Sequence, residues 1–166
     1  MATLIAVPIL TALLILQSAI ISQIPLLHGT ADLVLLAVIA WALQKRVQTA
    51  MQWGIIAGLL VSVVSALPFG AALAGYPLAV GLALVLRQRV WQVPILAMFL
   101  TTFLGTLLTH GITLAALRAL GSPLPWQETL NLIILPSVLL NLLLAIPAYA
   151  LLGDLANWLF PEELEV

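Results

Sequence analysis

A chain of 166 residues with 64% hydrophobic and 7% charged residues cannot cover a water-facing surface, so a soluble globular domain is excluded. Five Lys and Arg against six Asp and Glu leave a net charge of -1, which supplies no basic field for nucleic acid. Cysteine is absent, which removes disulfides, thiolate metal sites and cysteine nucleophiles. The class that remains is an integral membrane protein of one domain, and the mean hydropathy of +1.25 agrees.

Charged residues divide the chain into apolar stretches, and a spanning helix needs about 20 apolar residues. The stretches predict six helices, at about 3–23, 31–44, 50–67, 71–86, 93–119 and 129–156. Residues 1–16 hold no Lys or Arg, so the positive region of a secretory signal is missing and the first helix reads as an uncleaved span. Gln17 is its strong polar group.

The second helix is short, roughly 21 Å long at the helical rise. It starts at 31 or nearer Leu26, and a five-span alternative makes it a re-entrant hairpin. Thr30 is placed to cap it, with Asp32 in the first turn where the helix dipole favours a carboxylate. The other reading gives Asp32 a specific contact, internal or with a partner, because a membrane-embedded acid is costly alone.

The third helix carries small residues four apart, Gly54, Gly58, Ser62 and Ala66, and Leu67-Pro68-Phe69-Gly70 forms the turn after it. The fourth repeats the pattern in Ala71, Gly75, Ala79 and Ala83. Such stripes let helix backbones approach closely. They serve either packing between these two helices or the helix of a partner.

His110 lies mid-span in the fifth helix beside Gly111, with no acid near it in sequence to make a proton relay. Asn131 and Asn141 are the strong polar groups of the sixth, with Ser137 four residues before Asn141. Each needs a hydrogen-bond partner in lipid. Pro136 and Pro147 should kink this helix and free backbone carbonyls.

Orientation follows from the cations. Lys45, Arg46, Arg87 and Arg89 fall on one side and Arg118 on the other, which puts both termini of a multi-pass protein in the cytoplasm. Trp41, Trp53, Trp91 and Trp158 are then expected at the inner interface and Trp126 at the outer, as an aromatic belt. No catalytic grouping, P-loop or dinucleotide fingerprint occurs, so neither an enzyme nor a cofactor is expected.

In order, length and topology these features resemble the MreD family of bacterial rod shape-determining proteins. The likeness lies in Leu16-Gln17-Ser18, in Ala31-Asp32-Leu33-Val34-Leu35-Leu36 opening the second helix, in the glycine-rich third helix ending at Ser65-Ala66-Leu67-Pro68-Phe69-Gly70, and in Arg87-Gln88-Arg89. The chain departs from the family in having Ala31 where many members have proline and Ser62 where several have an acid. The resemblance implies an all-α six-helix bundle similar to the substrate-binding subunits of energy-coupling-factor transporters. It implies a non-catalytic scaffold of the cell-wall elongation complex, which helps control cell shape and lateral peptidoglycan synthesis. The partner would be an MreC-like single-span protein, with MreB, RodA and a class B transpeptidase joined directly or indirectly, all at the lipid bilayer. The alternative is a vitamin-binding transporter subunit, which needs polar side chains converging on an outward pocket.

Overall fold

A computed structural model describes residues 2–19, 28–89, 93–122 and 124–161, and the regular structure among them is helical. Six apolar helices follow in chain order: α1 (Ala2–Ala19), α2 (Leu33–Leu43), α3 (Ala50–Val64), α4 (Phe69–Arg89), α5 (Pro94–Ala119) and α6 (Trp126–Leu159). By length and composition α4, α5 and α6 can each cross a membrane, whereas α1, α2 and α3 are shorter apolar helices. The expected first span beyond residue 19, Trp91 and the acidic tail from residue 162 lie outside the described residues.

The bundle is arranged around α2. Every residue from Val34 to Leu43 is buried, as befits a helix that is apolar on all sides. It packs against each of the other five helices. Its 11 residues span only about 16 Å, roughly half an apolar bilayer core. The backbone leading into it, residues 28–32, is not helical.

Enclosure leaves both ends of α2 needing partners. At its C-terminal end the guanidinium of Arg87 reaches over from α4. One nitrogen, Nη1, donates to the carbonyls of Ala42, Gln44 and Val47 at 3.1, 2.8 and 3.3 Å. This contact accounts for the end of α4. The helix was expected to stop at 86 but continues to Arg89, carrying its cation to the carbonyls that α2 leaves open.

The small-residue stripes lie inside the molecule. A Cβ on Gly54 would come within 2.9 Å of Val80 Cγ2, and one on Gly58 within 3.0 Å of the Ala72 carbonyl oxygen, so α3 meets α4 backbone to backbone. Ser62 continues the seam by donating from Oγ to the Phe69 carbonyl at 2.6 Å. Ala66 does not belong to it: α3 ends at Val64, and Ala66 is exposed in the turn. On α4 the stripe turns toward α5, where Gly75 sits against Thr109 and Ala79 against Gly105.

Two tryptophans depart from the expected belt. Trp41 and Trp53 are fully buried and stacked, with ring centroids 4.3 Å apart. Because α2 has no outward face, Trp41 finds its partner within the bundle, donating from Nε1 to Thr49 Oγ1 at 3.3 Å. Trp126 and Trp158 are exposed at helix ends, as expected of interfacial rings.

Gly58→Leu should destabilise the isolated protein by about 1–3 kcal/mol through overpacking against α4 backbone. Thermal unfolding of the purified chain in detergent checks it, and an unchanged melting temperature would show that the seam tolerates a side chain.

Candidate functional site

The N-terminal end of α2 is where the polar side chains of the spans converge. The chain approaches it through His28-Gly29-Thr30-Ala31-Asp32. In an extended segment alternate N–H groups point the same way, and here they point at α6. His28 N–H donates to the Leu132 carbonyl at 3.0 Å, Thr30 N–H to Ser137 Oγ at 3.2 Å, and Asp32 N–H to Asn141 Oδ1 at 2.7 Å.

The first of these acceptors exists because of Pro136. A proline has no N–H, so the carbonyl four residues earlier loses its helical partner. That carbonyl belongs to Leu132, and the helix around it widens into a π turn over Leu130–Ile134. The expected kink at Pro136 thus has a use: its freed carbonyl holds His28. Close approach also demands Gly29. A Cβ there would lie 2.6 Å from Ser137 N and 2.7 Å from Pro136 Cβ.

Asp32 ends the segment and starts the helix. It is itself the N-cap, not a first-turn residue under a Thr30 cap, and its Oδ1 accepts from Leu35 N–H at 2.9 Å. Thr30 lies two residues before that cap, in the non-helical segment, where its N–H bonds Ser137. Oδ2 of Asp32 accepts from the Tyr76 hydroxyl at 2.6 Å, and Gln17 Oε1 accepts from Val34 N–H at 3.3 Å. Asn141 donates from Nδ2 to Thr106 Oγ1 at 2.9 Å. Side chains from α1, α4, α5 and α6 therefore meet at one helix end.

Beside this node lies a cavity of about 450 Å³. Asp32, Tyr76, Gln17 and His110 give it a polar side, and residues such as Val61 and Leu117 an apolar one. His110 Nδ1 lies 3.0 Å from the Thr106 carbonyl oxygen, so the ring is oriented by its own helix. Folding places this histidine and Asp32 on one cavity, although nothing near His110 in sequence is acidic. The arrangement can orient a hydrogen-bonding guest against a carboxylate and an imidazole. Among the described residues no three His, Cys, Asp or Glu side chains gather to hold a metal.

Of the polar residues singled out from the sequence, Gln17, Asp32 and Asn141 join the node directly. His110 lines the cavity, and Asn131 is exposed on the π turn away from it. Gly54, Gly58, Ser62, Gly75 and Ala79 belong to helix packing. Gly29, Thr106 and the capping role of Arg87 escaped the sequence reading. Thr106 had one signal, its position one helical turn before His110 on the same face. Comparison with protein-family models, with curated proteins and with solved structures finds no match to the chain.

Asp32→Ala removes both a cap and the acceptor of a buried hydroxyl. It should cost about 1 kcal/mol for the cap and about 1–3 kcal/mol for the stranded Tyr76 group. Asp32→Asn keeps a capping oxygen and should cost less. Equal melting temperatures for wild type and both variants would show the side chain to be idle. Gly29→Ala should push the extended segment off α6, so its effect and that of Asn141→Leu should be markedly non-additive in a double-mutant cycle. Simple additivity would mean that the two residues do not share one seam.

Proposed function

We propose that the chain is a six-span protein of the bacterial inner membrane, with both termini cytoplasmic, that acts as a non-catalytic scaffold of the cell-wall elongation complex. Its direct partner is the transmembrane helix of an MreC-like single-span protein, and RodA, a class B transpeptidase and MreB are joined directly or through that partner. The observation that carries this reading is the meeting of the residues on which the family resemblance rests. Gln17 and Asp32 act on neighbouring N–H groups of the same helix end, and the Pro68–Gly70 turn is tied to α3 by Ser62. The four-to-one division of cations supports the orientation.

Helix association in lipid relies on close packing. Gly54 and Gly58 are covered by α4, and Gly75 by α5. The contact with a partner helix therefore falls to an open apolar groove on α4 and α5, lined by Leu82, Leu104, Leu108, Gly111 and Ala115. A Cβ on Gly111 would meet nothing within 4 Å, so this backbone remains approachable.

A second reading, a vitamin-binding subunit of an energy-coupling-factor transporter, is favoured by the cavity beside Asp32.

Affinity purification from native membranes should recover a single-span protein with the wild-type chain. Gly111→Leu should lose that protein while melting like wild type. Recovery of a stoichiometric small metabolite and no protein partner would favour the second reading. Orientation has its own check, because the chain has no native cysteine. An Arg46→Cys variant should resist impermeant thiol reagents added outside intact cells, and ready labelling would reverse the topology.

A further inference from the structure

Five polar side chains on the cavity beside Asp32 have their hydrogens already committed. The Tyr76 hydroxyl gives its one hydrogen to Asp32 Oδ2. On α5, Thr113 Oγ1 donates to the Thr109 carbonyl at 2.9 Å, and Thr109 Oγ1 lies 3.0 Å from the carbonyls of both Gly105 and Thr106. On α6, Thr129 Oγ1 donates to the Pro125 carbonyl at 2.8 Å. A hydroxyl bonded back to its own helix in this way has only lone pairs left to offer a neighbour. His110 follows the same rule. A carbonyl can only accept, so Nδ1, 3.0 Å from the Thr106 oxygen, carries the hydrogen, and Nε2 of the neutral ring is left as an acceptor. All five side chains line the cavity. Gln17, Thr30, Ser65 and Ser137 line it with hydrogens to donate, but none of them carries a charge.

Asp32 supplies the charge. A carboxylate has about four lone-pair positions, and the bonds from Leu35 N–H and the Tyr76 hydroxyl occupy two of them. Among the described residues no Lys or Arg lines the cavity, and Arg118, next to Leu117 on α5, is exposed. The start of α2 is positive, but its Val34 and Leu35 N–H groups already donate to Gln17 and Asp32, so neither is left for an anionic guest.

An anion entering here meets a like charge and committed hydroxyls. A bare metal ion leaves the apolar wall of Val61, Leu114 and Leu117 uncovered. A quaternary ammonium has no N–H to give the lone pairs. A protonated primary amine on an apolar body answers all three demands, with three N–H donors and a charge that strengthens its bond to a carboxylate. We propose that the cavity binds a small amphiphilic primary ammonium, its charged head between Asp32 and the acceptors of α5 and its apolar body against Val61, Leu114 and Leu117. The volume of about 450 Å³ suits a guest of that kind. The proposal rests on the second reading above only in that the cavity takes a small molecule, and it does not involve the protein partner.

The test uses the purified full chain in detergent and four probes built on one ring system: tryptamine, its trimethylammonium counterpart, uncharged tryptophol and anionic indole-3-propionate. Equilibrium dialysis at neutral pH reads each dissociation constant, with protein-free micelles as the blank. Wild type should bind tryptamine about 10-fold more tightly than tryptophol, the worth of one charge-assisted hydrogen bond. It should bind the trimethylammonium probe more weakly than tryptamine, and the propionate most weakly of all. Asp32→Asn, which keeps a capping oxygen, should bring tryptamine and tryptophol to within about 2-fold of each other. Thr113→Val removes one acceptor from a half-buried position and keeps the side-chain shape. It should weaken tryptamine about 3-fold with melting unchanged, so the site stays testable if Asp32→Asn does not fold. Equal binding of tryptamine and tryptophol by wild type, or tighter binding of the propionate, would overturn the amine while leaving the cavity a small-molecule site. A preference undiminished in both variants would place the amine elsewhere and overturn the site. Binding of no probe would overturn the proposal, and a non-amine metabolite recovered with the native protein would then speak for the second reading alone.

Discussion

A helix buried on every side has no solvent for its ends, and this constraint on α2 organises the molecule. Four N–H groups at its start and four carbonyls at its finish have no partners within the helix. Buried and unmet, each would cost about 1–3 kcal/mol. Gln17 of α1 and the Asp32 cap meet two of the N–H groups, Arg87 of α4 meets the carbonyls of Ala42 and the Gln44 cap, and Gln44 itself meets those of Ala40 and Trp41. The charges also have the right signs, a carboxylate at the positive end of the helix dipole and a guanidinium at the negative one. Each cap is supplied or braced by a neighbouring helix, so satisfying α2 also fixes where its neighbours stand.

The same constraint explains why the chain tolerates a non-helical stretch within an apolar bundle. Irregular backbone is admissible there only when protein or a water-filled cavity meets its polar groups. Residues 28–32 have the first: α6 takes the N–H groups on one side, and the Asp32 cavity lies beside them. A helix that begins partway through the bundle, facing a cavity with its positive end, is a feature shared with ion and substrate sites in transporters. The node is thus structural first, and whatever occupies the cavity meets side chains whose positions are already set.

Much of this was legible in the sequence, and the rest was hidden for physical reasons. Apolar stretches and the Pro68–Gly70 turn mark the start of the first helix and both ends of the other five to within a few residues, because both signals are local. Asp32, Gln17 and Asn141 stood out because strong polar groups are rare in this chain. What they bond to could not be read, since Asp32 and Asn141 are 109 residues apart. Gly29 carried no local signal, because the demand for it comes from Pro136 and Ser137 on another helix. Arg87 counted as an orientation signal and as part of the family likeness but not as a cap, because its acceptors are carbonyls, and every residue has one. Trp41 and Trp53 were misplaced for a related reason: helix-end position suggests an interface, but only packing tells whether that end faces outward. Small-residue spacing likewise marks a close contact without saying whose backbone makes it.

The seam between residues 28–32 and α6 joins an early part of the chain to its last helix, and synthesis proceeds from the N-terminus. Gln17 is made before Val34 and is at hand when α2 forms. Leu132, Ser137 and Asn141 arrive only with α6. Until then the N–H groups of His28, Thr30 and Asp32 lack the acceptors they will finally use. The molecule is therefore assembled with an open side, and its final helix closes it in the manner of a keystone. A chain interrupted after α5 would present α2 with one flank bare, a polar edge that distinguishes the unfinished protein from the finished one.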